Sequence, residues 1–177
     1  MSIVFNHGDS EAILIRALCN RFRAPKSTYF PRKNTNKRKN TKSSNIQVNG
    51  LKKSLEKAIR SGCIETDSTI ITIMDLDDCN KQMQEFYKSG SNKIFSPIKN
   101  FSDKIAIFPI FNNPNLDVVL RKLGYPIPDP LKNKNDFYRK FFDSWDRDSF
   151  IDLKKRCEGV SYTNLNKLID LISIMNS

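Results

Sequence analysis

The chain of 177 residues contains a single histidine, His7, and only six glycines, all scattered. One histidine leaves no His-based triad to assemble. Without a glycine-rich loop there is no phosphate cradle of the nucleotide-binding kind, so ATP hydrolysis by this chain alone is not expected. Four cysteines, Cys19, Cys63, Cys79 and Cys157, stand far apart and form no CxxC pair. That spacing suits neither a zinc knuckle nor a disulfide framework and fits a reducing, cytoplasmic setting. No apolar run approaches the ~18–20 residues that cross a bilayer, so no membrane partner is expected. The opening residues run at once into Asn6, His7 and Asp9, which resembles neither a signal nor a transit peptide.

Acidic residues are also absent from one long stretch. Between Ala12 and Leu55 there is none, while twelve basic residues fall there. The rest of the chain carries 18 basic and 19 acidic residues, so the whole net charge of +11 originates in this quarter. A concentrated positive block suits an anionic partner, most commonly nucleic acid; its alternative is a solvated surface loop. At its centre lie Arg32, Lys33, Lys37, Arg38, Lys39 and Lys42, separated by Asn and Thr. This low-complexity run predicts a flexible loop over 32–44 that wraps phosphates without reading sequence. Tyr29 and Phe30 adjoin it, as core residues of a strand or as stacking platforms for bases.

Hydrophobic periodicity predicts strands over 2–5, 27–30, 69–74 and 104–111. Helices are expected over 11–22, 50–60, 80–88, 114–123, 134–144, 147–157 and 163–175. Asp9 or Ser10 reads as the cap of the first helix, and Asp78 as a cap for the helix after the acidic turn. Pro109 argues for a sheet edge or a strand end. The β-branched run at 69–74 suits a central parallel strand covered on both faces. The alternation of strands and helices predicts an α/β fold with a mostly parallel sheet flanked by helices. That domain spans 1–125, and 126–177 form a C-terminal helical part.

Three polar clusters follow predicted strands directly, at 6–11, 75–78 and 112–117. In open α/β sheets, ligands bind beyond the carboxyl ends of the strands. Asp75, Asp77 and Asp78 form the densest cluster. Alternate carboxylates at a strand end, with no His or Cys group nearby, suit a hard ion such as Mg2+ or Mn2+. An acidic turn leading into a helix is the other reading. Glu11 and Asp117 each have two readings, as site carboxylates or as favourable acids in a helix first turn. His7 is a metal ligand, a base, a phosphate contact or an ordinary loop histidine.

The stretch Phe5-Asn6-His7-Gly8-Asp9-Ser10-Glu11, then Asp75-Leu76-Asp77-Asp78, then Asn113-Pro114-Asn115-Leu116-Asp117, resembles the motif order of Toprim domains. The likeness is greatest to small RloB-like Toprim proteins of phage defence and covers 2–125. It implies a Toprim-like sheet and a metal-dependent phosphodiester nuclease acting on RNA or DNA in a defence or toxin context. Asp75, Asp77, Asp78 and Asp117 would serve as metal ligands, and His7, Glu11, Asp75 and Asp77 as catalytic residues. It further implies a partner ATPase or a homodimer. The family's leading glutamate falls on His7 here: either His7 takes that role, Glu11 substitutes for it, or the chain is a catalytically degenerate Toprim-like protein that binds nucleic acid or a partner.

Overall fold

The computed structural model describes residues 2–6, 8–24, 51–62, 64, 68–90 and 105–174. His7, the predicted strand at 27–30 and the basic loop at 32–44 lie outside these residues. Three strands, β1 (Ser2–Asn6), β2 (Thr69–Asp75) and β3 (Ala106–Asn112), form a parallel sheet in the order β1-β2-β3. Seven described helices accompany them: α1 (Asp9–Arg21), α2 (Leu51–Arg60), α3 (Lys81–Ser89), α4 (Leu116–Lys122), α5 (Lys134–Asp143), α6 (Arg147–Cys157) and α7 (Leu165–Ile174). The protein is therefore an α/β fold with a three-stranded parallel sheet flanked by helices.

Side chains alternate across the sheet, and each face has its own core. On one face Val4, Ile71, Ile73 and Ile110 pack with Leu14, Leu18, Leu120, Phe142, Phe150 and Leu168, so α1 and α4–α7 share one apolar interior. On the other, Phe5, Ile70, Met74 and Phe111 meet Leu51, Leu55, Met83 and Phe86 of α2 and α3. The central strand is thus covered on both sides, which is why its sequence is nearly continuous in apolar residues. The polar residue in its interior, Thr72, faces α3, where its hydroxyl and that of Tyr87 lie 2.6 Å apart. This hydrogen bond removes the cost of two buried hydroxyls.

Pro109 does sit on an edge strand, since β3 pairs only with β2 among the described strands. The start of α7 closes part of that edge. Asn164 donates from Nδ2 to the Pro109 carbonyl at 2.9 Å and accepts from the Phe111 N–H at 2.8 Å. Asn112 and Thr163 add an antiparallel bridge. Among the described residues, no helix is long and apolar enough to cross a membrane.

Two capping expectations are corrected. Helix α1 takes Gly8 as its N-cap and makes no side-chain cap, because the Asp9 carboxylate accepts instead from Asn135 Nδ2 at 3.1 Å. Asp78 belongs to a short 3-10 turn, Leu76–Asp78, and α3 begins only afterwards. Its cap is Asn80, which accepts from the Met83 N–H at 2.9 Å.

Candidate acidic site at the strand ends

The period of two that sends Ile71 and Ile73 into the α1 core sends Asp75 to the same face at the end of β2. Asn6 ends β1 opposite Ile73, and Asn112 ends β3 directly beside Asp75 in the register. All three are buried, Asp75 with only 8% of its surface exposed. Asp75 Oδ1 accepts from Asn112 Nδ2 and from the Leu116 N–H, both at 3.1 Å. These two donors fix the carboxylate in position, and its side chain also meets the Glu11 carboxyl.

Glu11 comes from the first turn of α1 and is only 1% exposed, with Oε1 lacking any hydrogen-bond partner. Its Oε2 lies against the Cα of Gly8, so closely that a methyl group there would collide with it. Gly8 has φ −113° and ψ 168°, a conformation open to any residue. Space, not backbone freedom, is what the glycine supplies. Asn6 Nδ2 donates to the Gly8 carbonyl at 2.8 Å and holds the turn that carries Glu11 inward.

Burial pushes the Glu11 carboxyl above the ordinary range. Burial likewise raises Asp75, and the charge of Glu11 adds to it, bringing Asp75 to about 8; the hydrogen bond from Asn112 and the charge of Lys134 act in the opposite sense. Two carboxyls in contact and withdrawn from water cannot both ionise freely. Near neutral pH the pair holds a proton, or calls for a cation in its place.

Asp117 occupies the first turn of α4 at the rim. Its Oδ1 accepts from the Tyr138 hydroxyl at 2.7 Å and pairs with Lys134 Nζ at 3.0 Å. Burial, together with the hydrogen bond to Asp117, pushes the Tyr138 hydroxyl far above its usual range. Asp77 and Asp78 are exposed. Asp77 is tied to the 113–115 segment, accepting from Asn115 Nδ2 at 2.8 Å while its N–H donates to the Pro114 carbonyl at 3.1 Å.

The fold thus brings Glu11 and Asp75 into contact and sets Asp117 beside them through Lys134. Asp77 and Asp78 stand at the solvent side of the 3-10 turn. His7, Arg32, Lys33, Lys37, Arg38, Lys39 and Lys42 lie outside the described residues. Among the described residues, no group of three or more His, Cys, Asp or Glu side chains is arranged to hold a metal ion. The donor chemistry nonetheless fits a hard divalent cation: a buried, orphaned carboxylate oxygen and a second carboxylate against it, with Gly8 leaving room for the Glu11 carboxyl. Asn6, Asn112, Lys134 and Tyr138 join the site only in the folded chain. The first two carry a signal, since each ends a strand; Lys134 and Tyr138 carry none, because only packing of α5 brings them here. No family model, curated protein or solved structure matches the chain.

Proposed function

We propose that this protein is a metal-dependent phosphodiester nuclease of Toprim-like architecture, acting on RNA or DNA in phage defence or as a toxin, in the cytoplasm. The observation that carries this reading is the buried Glu11–Asp75 pair with its unpartnered oxygen at the carboxyl ends of parallel strands. Glu11 and Asp75 would hold Mg2+ or Mn2+, with Asp77, Asp78 and Asp117 contributing from the rim. A divalent ion held there would polarise a phosphate oxygen and acidify the attacking water.

The chain's own residues set the rest. Asn112 and the Leu116 N–H hold Asp75 in place beside Glu11. Lys134 adds positive charge where a phosphodiester would gather negative charge. His7 is the proposed base or phosphate contact, and the basic residues at 32–42 hold the nucleic-acid backbone.

A second reading, a degenerate Toprim-like binding protein, draws support from the engagement of Asp117 by Lys134 and Tyr138, with no preassembled three-acid group among the described residues. Incubating the purified chain with single- and double-stranded DNA and RNA, in Mg2+ and in Mn2+, separates the two. The nuclease reading expects cleavage that drops by roughly a hundredfold or more in Asp75→Asn and Glu11→Gln, and that falls also in His7→Ala. Failure to cleave in either metal, with salt-sensitive binding that needs residues 32–42, supports the binder. Sedimentation of the chain alone tests the homodimer; a partner ATPase would emerge only in a reconstituted pair.

A further inference from the structure

Lys134 is the first residue of α5, far from the strand ends in sequence, yet its ammonium lies 3.0 Å from Asp117 Oδ1. Its charge acts on Glu11 and on Asp75 as well, lowering the proton affinity of both. The helix is held in that place by more than this ion pair. Asn135 donates to Asp9 in the first turn of α1, Tyr138 donates to Asp117, and the Tyr138 and Phe142 rings stack 5.5 Å apart beneath. Three acids from three elements therefore share one positive side chain that is delivered from the C-terminal helices. Glu11 Oε1, buried and unpartnered, marks the position that this ammonium does not satisfy.

We propose that Lys134 is a built-in counter-ion that competes with a divalent cation for the carboxylates of Glu11, Asp75 and Asp117 and so sets their affinity for metal. This rests on the cation-holding part of the nuclease reading and not on the chemistry that follows. The side chain has the freedom such a role needs. It is 40% exposed, carried on a flexible four-carbon stem and held by a direct ion pair to Asp117, so it can swing to solvent or to a phosphate when a cation binds the carboxylates. Without a metal, it limits repulsion among Glu11, Asp75 and Asp117. With one, its positive charge opposes binding.

The test is calorimetric titration of Mn2+ into the full-length wild type and three variants, Lys134→Gln, Lys134→Arg and Lys132→Gln, each checked for fold by circular dichroism. Lys132 is an exposed neighbour two residues away and controls for general surface charge. Lys134→Gln is expected to bind Mn2+ roughly three- to tenfold more tightly, after discounting for solvent screening. Its metal-free form should melt lower, and Mn2+ should raise its melting temperature by more than in the wild type. The other two variants should stay within about twofold of wild type. Equal or weaker binding by a folded Lys134→Gln variant, with the wild type binding normally, overturns this proposal and leaves the nuclease reading standing. Absence of binding in every form overturns both. Absence in the wild type with binding gained in Lys134→Gln supports the counter-ion role in its strongest form.

Discussion

The carboxyl groups of Glu11 and Asp75 meet at the end of β2, one carried by the first turn of α1 and the other by the last residue of the central strand. Folding moves both from water into a place where the protonated form is favoured. The folded state therefore binds more protons than the unfolded chain across the interval from about 4, the ordinary carboxyl value, to about 8 for Asp75. The Asp75 contribution to stability is full below that interval and is lost as pH rises through it, and Glu11 acts in the same direction. Differential scanning calorimetry of chelated protein should give a melting temperature that falls from about pH 5 to about pH 8. Asp75→Asn and Glu11→Gln should each reduce the slope and melt higher at the alkaline end. A flat profile in the wild type, or an unchanged slope in both variants, would contradict the pairing.

Gly8→Ala tests the room left for the Glu11 carboxyl. The backbone there suits alanine, and such a change ordinarily adds about 0.4–1 kcal/mol by restricting the unfolded chain. Here the new methyl group meets Glu11 Oε2. The expected result is no gain in stability by urea denaturation, together with weaker Mn2+ binding, because the carboxylate must shift. A variant that is more stable and binds Mn2+ as before would show that the close approach has no consequence.

Tyr138→Phe removes one hydroxyl and keeps the ring that stacks on Phe142. Asp117 loses a donor at 2.7 Å but retains Lys134. A loss of about 1.5 kcal/mol is expected, the low end for a hydrogen bond to a charged group. Denaturant melts with unchanged m-value should report it. An effect below about 0.3 kcal/mol would mean that Asp117 finds an equal partner in water.

At the sheet edge, Asn164→Ala removes both side-chain hydrogen bonds to β3. The Phe111 N–H and Pro109 carbonyl then lose their partners, at a cost of about 1–3 kcal/mol. An uncovered strand edge also invites pairing with another chain. The variant should melt lower and show concentration-dependent association by light scattering. Unaltered melting and scattering would mean that the edge is protected by other means.

The sequence was most legible where a single segment contains its own instruction. The β-branched run through Ile73 and Met74 specifies a strand covered on both faces, and its exit into Asp75 puts an acid at the strand end. Pro109 marks an edge because it lacks a ladder donor, and β3 occupies one among the described strands. Leu165, Leu168, Ile169 and Ile172 repeat at helical spacing and are all buried in α7. Capping was less legible. Asp9, Ser10 and Asp78 have the right chemistry for caps, but the turn closed by Asn6 makes Gly8 the N-cap of α1, and the 3-10 turn delays α3 until Asn80.

Sequence by itself determined the element types, the segregation of positive charge before Leu55, and the appearance of acids after strands. These depend on residue spacing and composition within a few turns of chain. Only the tertiary structure decided which acids meet: Glu11 with Asp75, rather than Asp75 with its neighbours Asp77 and Asp78. It also decided that Lys134 and Tyr138 complete the rim. The reason is that strand register and the docking of α5 on α1 are products of packing among distant segments, and no local pattern around Lys134 encodes the carboxylate it will face.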